Sequence, residues 1–519
     1  MLAIVAGGNF IVRHLLLGVA LVSFADPASA EWWEAKTDHF IVDSESSSKD
    51  AHDFAEKLER YDGALRGLQG LGEDEKLSDS SRVTVFRWGH IGEIAALYGN
   101  SQSGVAGFYI PRVEPVAFVP AREYVGRKSD IDAQTVLFHE YAHHFMFRHF
   151  AAAYPTWYVE AFAEVNSTIQ LNPDGSFKIG APPQARAQAL NGGLQYSIKE
   201  LLLNSNEPDF TDVLARYTYG WLLTHYLTFS KSRAGQLTKY LKLINDGVRP
   251  SDAATQAFGD LDQLERDVMA YKARNNYPGA IAKPLHAEAP TVTMRKLGPD
   301  EEAIMWARIR SARGVNHRQA GDVAGDARSV AAKFPSSLPV QLELAEAELD
   351  DHQLDAAEKA ASSALGIDPN STEALLYKGE VYLERAKKDR QQFETARTWF
   401  AKANRTDPLN ASALFEYYRT YMEEGVTPPP IAVAGLERAY GIAPFDADIR
   451  MVLARELLIE KKGSVARQVL LPLALAPHES SRAKALNEVA QLIQSGKPDE
   501  ALKKLDERMA KEEKDKQDG

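Results

Sequence analysis

The stretch Ile131–Phe150 reads IDAQTVLFHEYAHHFMFRHF. It holds neither Pro nor Gly, and Asp132 stands where a helix can begin, so the segment is expected to be helical. Four residues advance a helix by about 400°, which sets His139 and His143 one turn apart on one face. Two imidazoles so placed can reach a single Zn²⁺ at about 2.0–2.1 Å. Glu140 follows the first histidine and can lean toward the same metal, where it would take a proton from metal-bound water. His144 is turned by about 100° from His143, and His149 lies on another face, so both are read as surface or packing histidines. With 13 His in 519 residues, a chance HExxH is expected in roughly 2% of such chains. The motif therefore needs support from the rest of the sequence.

That support begins seventeen residues past His143. The segment Pro155–Val165 reads PTWYVEAFAEV, with Pro155 suited to a helix start and Ala and Phe to its continuation. Glu160 and Glu164 then share a face. Two carboxylates on an otherwise apolar helix are costly unless they have partners. A third metal ligand at Glu160, and an acceptor at Glu164 for the free N–H of a ligand histidine, would satisfy both. The alternative is an acidic stripe facing solvent.

HExxH followed by a Glu on the next helix resembles the gluzincins, the thermolysin-like clan of zinc metallopeptidases. The closer resemblance is to the peptidase MA-like proteins, whose second helix reads P-x-W-x-x-E-G-x-A-E. Pro155, Trp157, Glu160, Ala163 and Glu164 keep that pattern, and Ala161 replaces its glycine. The resemblance implies an α+β catalytic domain with Zn²⁺ held by His139, His143 and Glu160, and with Glu140 as general base. Gluzincin aminopeptidases also carry a Tyr, in a pattern like Y-x-K-G-A, that donates to the oxyanion of the transition state. Tyr217–Leu227 (YTYGWLLTHYL) resembles that segment. Aligned on Gly220, Tyr217 is the counterpart, and Tyr219 stands in place of the family lysine. Tyr219 lies about 200° away on the same helix, so only one of the two can face the metal. Tyr219, His225 and simple core packing remain the alternatives. Upstream, Gly104–Pro111 (GVAGFYIP) followed by Pro115–Val119 resembles the glycine-containing hairpin of the same proteins. Through Gly107, Phe108 and Tyr109 such a strand could pair with an extended peptide by β-addition; a plain sheet hairpin is the alternative. No counterpart of the motif that grips a substrate's free amine is present, so exopeptidase action is not supported.

The remaining sequence sets the frame. A chain of 519 residues is expected to fold as at least two domains. Its net charge of −12 and the lack of any basic run exclude a phosphate-backbone binder, so no nucleic-acid partner is expected. There is no cysteine, which excludes disulfides, thiolate ligands and cysteine nucleophiles, and leaves His and carboxylates for any metal. In residues 1–30, Arg13 and His14 precede the apolar run Leu15–Ala25, and Ala28-Ser29-Ala30 gives a small-x-small cleavage pattern. This reads as a signal peptide for export, to a bacterial periplasm, with an uncleaved anchor as the alternative. No later stretch is apolar enough to span a membrane.

Residues 31–279 are assigned to the metal domain. Within it, Asn172-Pro173-Asp174-Gly175 marks a hairpin, and after Pro183 the pattern is helical through Ala273. Residues 280–299, rich in Pro and Ala, read as a linker. From 300 to 510, helix follows helix, and Pro335, Pro369, Pro408, Pro444 and Pro477 recur at intervals of 34, 39, 36 and 33. That period resembles the tetratricopeptide (TPR) repeat and implies an all-α solenoid with a concave face for a protein or peptide partner. A generic helical array is the alternative, and residues 511–519 read as a charged tail. The combined expectation is an exported zinc-dependent peptidase with a TPR-like binding domain. Its rival is a periplasmic interaction protein, or scaffold, whose zinc domain is inactive or structural. Two His and a carboxylate would also suit non-haem iron, but an oxygenase has no need of Glu140.

Overall fold

Phe40, Ile41, Val42, Val83, Val85 and Phe86 form short apolar runs without alternation, as strands covered on both faces require. The computed structural model describes residues 31–72, 77–99, 105, 107–122, 133–150, 152–203, 210–274, 276–284, 289–475 and 480–518. The segment read as a signal peptide lies outside these residues, as do Gly104, Ala106 and Asp132. The chain begins with β1 (Trp32–Lys36), β2 (Phe40–Glu45), α1 (Ser48–Gln69), β3 (Val83–His90), α2 (Ile91–Tyr98), β4 (Phe108–Ile110) and β5 (Val116–Arg122). It continues through α3 (Ala133–His149), α4 (Thr156–Ser167), β6 (Gln170–Leu171), β7 (Phe177–Ile179), α5 (Gln184–Asn191), α6 (Ile198–Leu203) and α7 (Phe210–Phe229). Then come α8 (Gln236–Asn245), α9 (Pro250–Phe258), α10 (Leu261–Lys272), β8 (Ala280–Ala282) and β9 (Thr293–Lys296).

The main sheet has the order β4-β5-β3-β2-β1-β9. Its centre is parallel, β2 with β3 and β3 with β5, while β4, β1 and β9 join antiparallel. One face packs Phe40, Val42, Val85 and Val119 against Tyr61 of α1 and Phe138 and Tyr141 of α3. The other packs Phe86, Trp88 and Phe118 against Ile94 of α2 and the start of the repeat region. The expected hairpin is β6–β7, turned at Gly175 with φ +81°, where Asp174 accepts from the Ser176 N–H at 3.0 Å.

The structure differs from the expectation at 280–299. Instead of a free linker, β8 completes a three-stranded sheet with β6 and β7, and β9 closes the β1 edge of the main sheet. Arg295 joins this edge to both Glu34 and Glu301. A segment without helical period can still satisfy its backbone by pairing with a sheet edge distant in sequence.

The repeat region holds twelve helices among the described residues: α11 (Pro299–Arg313), α12 (His317–Ala331), α13 (Leu338–Asp350), α14 (Leu354–Ile367), α15 (Thr372–Ala386), α16 (Gln392–Thr406), α17 (Ala411–Glu424), α18 (Pro430–Ile442), α19 (Ala447–Ile459), α20 (Gly463–Ala474), α21 (Ser480–Gln494) and α22 (Pro498–Asp518). Consecutive helices pack on one another, making a helical solenoid. The proline period has a local cause. Pro335, Pro369, Pro408 and Pro444 each stand two residues before an N-cap: Ser337, Ser371, Asn410 and Asp446. Each cap accepts from the third backbone N–H of its helix, at 2.8–3.4 Å. Pro477 lies outside the described residues, and the tail read as 511–519 continues α22 as far as Asp518.

Both ends of the solenoid rest on the metal domain. At the near end Leu297, Met305 and Ile309 seal the second face of the sheet. At the far end Leu471 and Ala490 join the core that contains α3 and α4, and Thr156 donates to the Leu475 carbonyl at 3.1 Å. No described helix is long and apolar enough to cross a membrane.

Two expectations follow. A Cβ on Gly379 would collide with the buried Phe400 ring, so Gly379→Ala should cost about 1–3 kcal/mol, read as a lower urea midpoint. Asp350 is pushed up to about 8, by burial and then by the charge of Glu346, with Arg112 pulling the other way. The folded state therefore keeps a proton that the unfolded chain releases above about pH 4, and stability falls as pH rises from there to about 8. Asp350→Asn should raise the Tm at pH 8 and above, with the gain vanishing toward pH 4.

Candidate metal centre

Helix α3 buries Leu137, Phe138, Tyr141, Ala142, Phe145 and Met146, the broad apolar stripe of a core-facing helix. It is fixed to α1 by the Tyr61 hydroxyl on the Phe138 carbonyl (2.9 Å) and by the Tyr141 hydroxyl on Asp62 (2.7 Å). Asp62 is in turn bonded by Arg66 (2.5 Å). These anchors turn His139 and His143 toward α4.

On α4, Pro155 precedes the first turn in an extended conformation, and Trp157 is buried behind it. Glu160 is 3% exposed and Glu164 5%, so neither belongs to a solvent-facing stripe. Helix α7 crosses α4 closely because Gly220 has no side chain; a Cβ there would lie 3.0 Å from the Trp157 carbonyl oxygen and 3.5 Å from Cβ of Ala161. The alanine that departs from the family pattern is thus accommodated by a glycine on the facing helix.

The structure brings His139, His143 and Glu160 together. The Nε2–Nε2 distance between the histidines is 3.1 Å, and Oε2 of Glu160 lies 3.4 Å from His139 and 3.7 Å from His143. Tetrahedral bonds of 2.0–2.1 Å would set ligand atoms about 3.3 Å apart, so this donor set matches a zinc-sized cradle. Its electrostatics also favour a cation. Burial opposes charge on His139, but the hydrogen bond to Glu160 and the charges of Glu164, Glu160 and Glu140 outweigh it and lift its pKa to about 9. Glu140 itself is half-buried, outside the donor set, on the residue next to His139.

Glu164 lies 3.8 Å from Nδ1 of His139, longer than a hydrogen bond, and accepts from Arg186 of α5 at 2.7 Å. The Arg186 guanidinium also stands 5.0 Å over the Tyr217 ring. That ring is nearly parallel to His139, with centroids 6.5 Å apart. Burial, then the charge of Glu160 and a hydrogen bond to it, hold the Tyr217 hydroxyl well above its ordinary pKa, against the pull of Arg186. It is therefore a neutral donor at the cluster. Tyr219 is buried elsewhere, donating to the Leu194 carbonyl at 2.7 Å. His225 is also buried away from the cluster, between the Tyr271 hydroxyl and the Gly180 carbonyl; burial lowers its pKa to about 4, against its backbone contacts. Of the three candidates, Tyr217 is the one beside the metal ligands.

Phe108 and Tyr109 lie in β4, which ends the sheet, with Gly107 just before it. Tyr109 shares a 2.6 Å hydrogen bond with Nδ1 of His144, a packing histidine rather than a surface one. His149 packs its ring on Phe145 and stands 3.4 Å from Arg66. Two other groups of donors occur among the described residues. His39 and Asp62 already bond Arg66 and Glu59 bonds the His39 ring, while His52, Asp53 and Glu56 lie on the outer side of α1. Arg186 had no spacing signal in the sequence; the one hint was that a buried Glu164 required a cation.

No protein-family description matches the chain. No curated protein matches it either. Solved structures similar to part of it include a thermophilic TPR protein of Thermus thermophilus, 17% identical, covering 37% of this chain and 99% of its own, with a TM-score of 0.32. Another is Pseudomonas aeruginosa pilF, 16% identical, covering 40% of this chain and 88% of its own, also at 0.32. At that score neither likeness carries weight beyond the helices already described.

Zinc titrated into the metal-free protein should stabilise it by about 2.7 kcal/mol once free metal reaches a hundred times its Kd. His143→Ala and Glu160→Gln should remove that shift in a thermal melt, and a shift retained in both would place the metal elsewhere.

Proposed function

We propose that this chain is a zinc-dependent peptidase that hydrolyses peptide bonds with metal-activated water. The observation that carries this reading is the spacing of the His139, His143 and Glu160 donor atoms, with Tyr217 beside them and the charge of Glu140 acting on His139. Bound there, Zn²⁺ would act as a Lewis acid toward the scissile carbonyl and lower the pKa of water. Glu140 takes the water proton as the water oxygen attacks the carbonyl carbon, and passes it to the amine nitrogen as the C–N bond breaks. The Tyr217 hydroxyl donates to the oxyanion that develops on the former carbonyl oxygen. Arg186 steadies Glu164 on one side and the Tyr217 ring on the other. The open edge of β4, with Gly107 preceding Phe108 and Tyr109, would pair with an extended substrate. Residues 1–30 support export to a periplasm, where substrates would be proteins or peptides.

A second reading is a scaffold whose solenoid binds a protein partner, the metal domain being structural. The long array of stacked helices favours it. Glu140 favours the first reading, since a structural zinc site needs no base.

Digestion of a mixed peptide library, with and without chelator, separates the two. Cleavage that chelator stops is expected, and bound zinc without cleavage would favour the scaffold. Glu140→Ala should abolish turnover while zinc stays bound. Tyr217→Phe should lower kcat by about 10²–10³-fold with little change in KM.

A further inference from the structure

Strand β4 pairs with β5 through three residues, Phe108↔Phe118, Tyr109↔Ala117 and Ile110↔Val116, and no described strand lies on its outer side. So short a pairing holds a strand weakly, yet β4 is the edge proposed to receive substrate. Phe108 also packs on Tyr98 of α2, while Tyr109 is tied through α3 to the repeat region. Phe445, in the turn before α19, is 5% exposed and sets its ring 4.7 Å from that of His144. His144 is 2% exposed, follows the metal ligand His143, and bonds the Tyr109 hydroxyl at 2.6 Å. The next residue, Asp446, caps α19 through the Ile449 N–H at 2.8 Å. Val113, in the β4–β5 turn, and Phe147 of α3 pack on the apolar core of α17–α21.

We propose that Phe445 is a positioning residue. Phe445 holds β4 through His144 and Tyr109, the repeat core holds the β4–β5 turn through Val113, and the repeat region thereby sets where substrate lies against the metal helix. The kinetic part of this inference rests on the peptidase reading; the structural part does not. Truncating Phe445 leaves His144 without its covering ring on the repeat side, so Tyr109 loses a fixed partner and β4 gains freedom next to the metal ligands. The repeat region would then act on hydrolysis through the substrate strand without touching substrate.

The test uses the full-length, zinc-loaded protein. Hydrogen–deuterium exchange is followed over residues 107–118 and 136–147, with α8–α10 as an internal reference, and zinc content is measured in parallel. Phe445→Ala should speed exchange in 107–118 by about tenfold, leaving the reference helices and zinc content unchanged, and Phe445→Leu should restore most of the protection. On a peptide substrate the alanine variant should raise KM by about tenfold with kcat within about twofold. Val113→Ala, which trims the contact of the turn with the repeat core, should speed exchange at the β4–β5 turn alone. It decides the matter if the Phe445 variant fails to fold. Unchanged exchange at 107–118 in these variants, or an increase spread evenly over the chain, would overturn the inference. A wild-type protein that binds zinc and cleaves nothing would overturn the peptidase reading instead, and the exchange data would still decide the positioning role.

Discussion

Two carboxylates buried on an apolar helix are the constraint from which the metal domain is arranged. Glu160 and Glu164 are almost fully enclosed, and an enclosed charge without compensation is strongly destabilising. The compensation comes from three separate helices: His139 and His143 on α3, Arg186 on α5, Tyr217 on α7. Each must approach α4 at one level and angle. The glycine at 220 is what lets α7 come near enough, and the Tyr61 and Tyr141 anchors are what turn α3. The same carboxylates make the centre a place where positive charge is favoured, as the raised His139 pKa records.

The repeat region is tied to this centre more closely than a tethered domain would be. Its first helix is part of the sheet's second core, and its last pairs reach the helices that carry the donors. Between these attachments the turn at Phe445 meets His144. The solenoid therefore belongs to the same body that shapes the surroundings of His139, His143 and Glu160.

The parts legible in the sequence were those set by local periodicity. A four-residue step on a helix placed His139 and His143 together, and the seventeen-residue step brought Glu160 into the following helix. The proline period was visible because Pro335, Pro369, Pro408 and Pro444 each precede an N-cap, a local device repeated along the array. What was not legible depended on distant approach. Arg186 reaches Glu164 across 22 positions through a sheet and a turn, with no spacing rule to announce it. The strands at 280–282 and 293–296 carried linker composition, because their role is decided by which sheet edges were open. His144 could be taken for either a packing or a surface residue until Tyr109 and Phe445 were seen on either side of it.

Strand β9 has one more consequence. Its Arg295 meets Glu34 of β1 from 261 positions away, so during synthesis the β1 edge stays unpaired until most of the metal domain has been made. Contacts of such sequence separation are slow to form and leave a nascent strand open to other chains. Once β9 is in place, the edges of the main sheet among the described residues are β4 and β9 itself. The late-arriving strand is thus also a cover: it replaces the edge of β1 with four residues ending in Arg295 and Lys296, a short charged strand that is a poor template for a stray peptide.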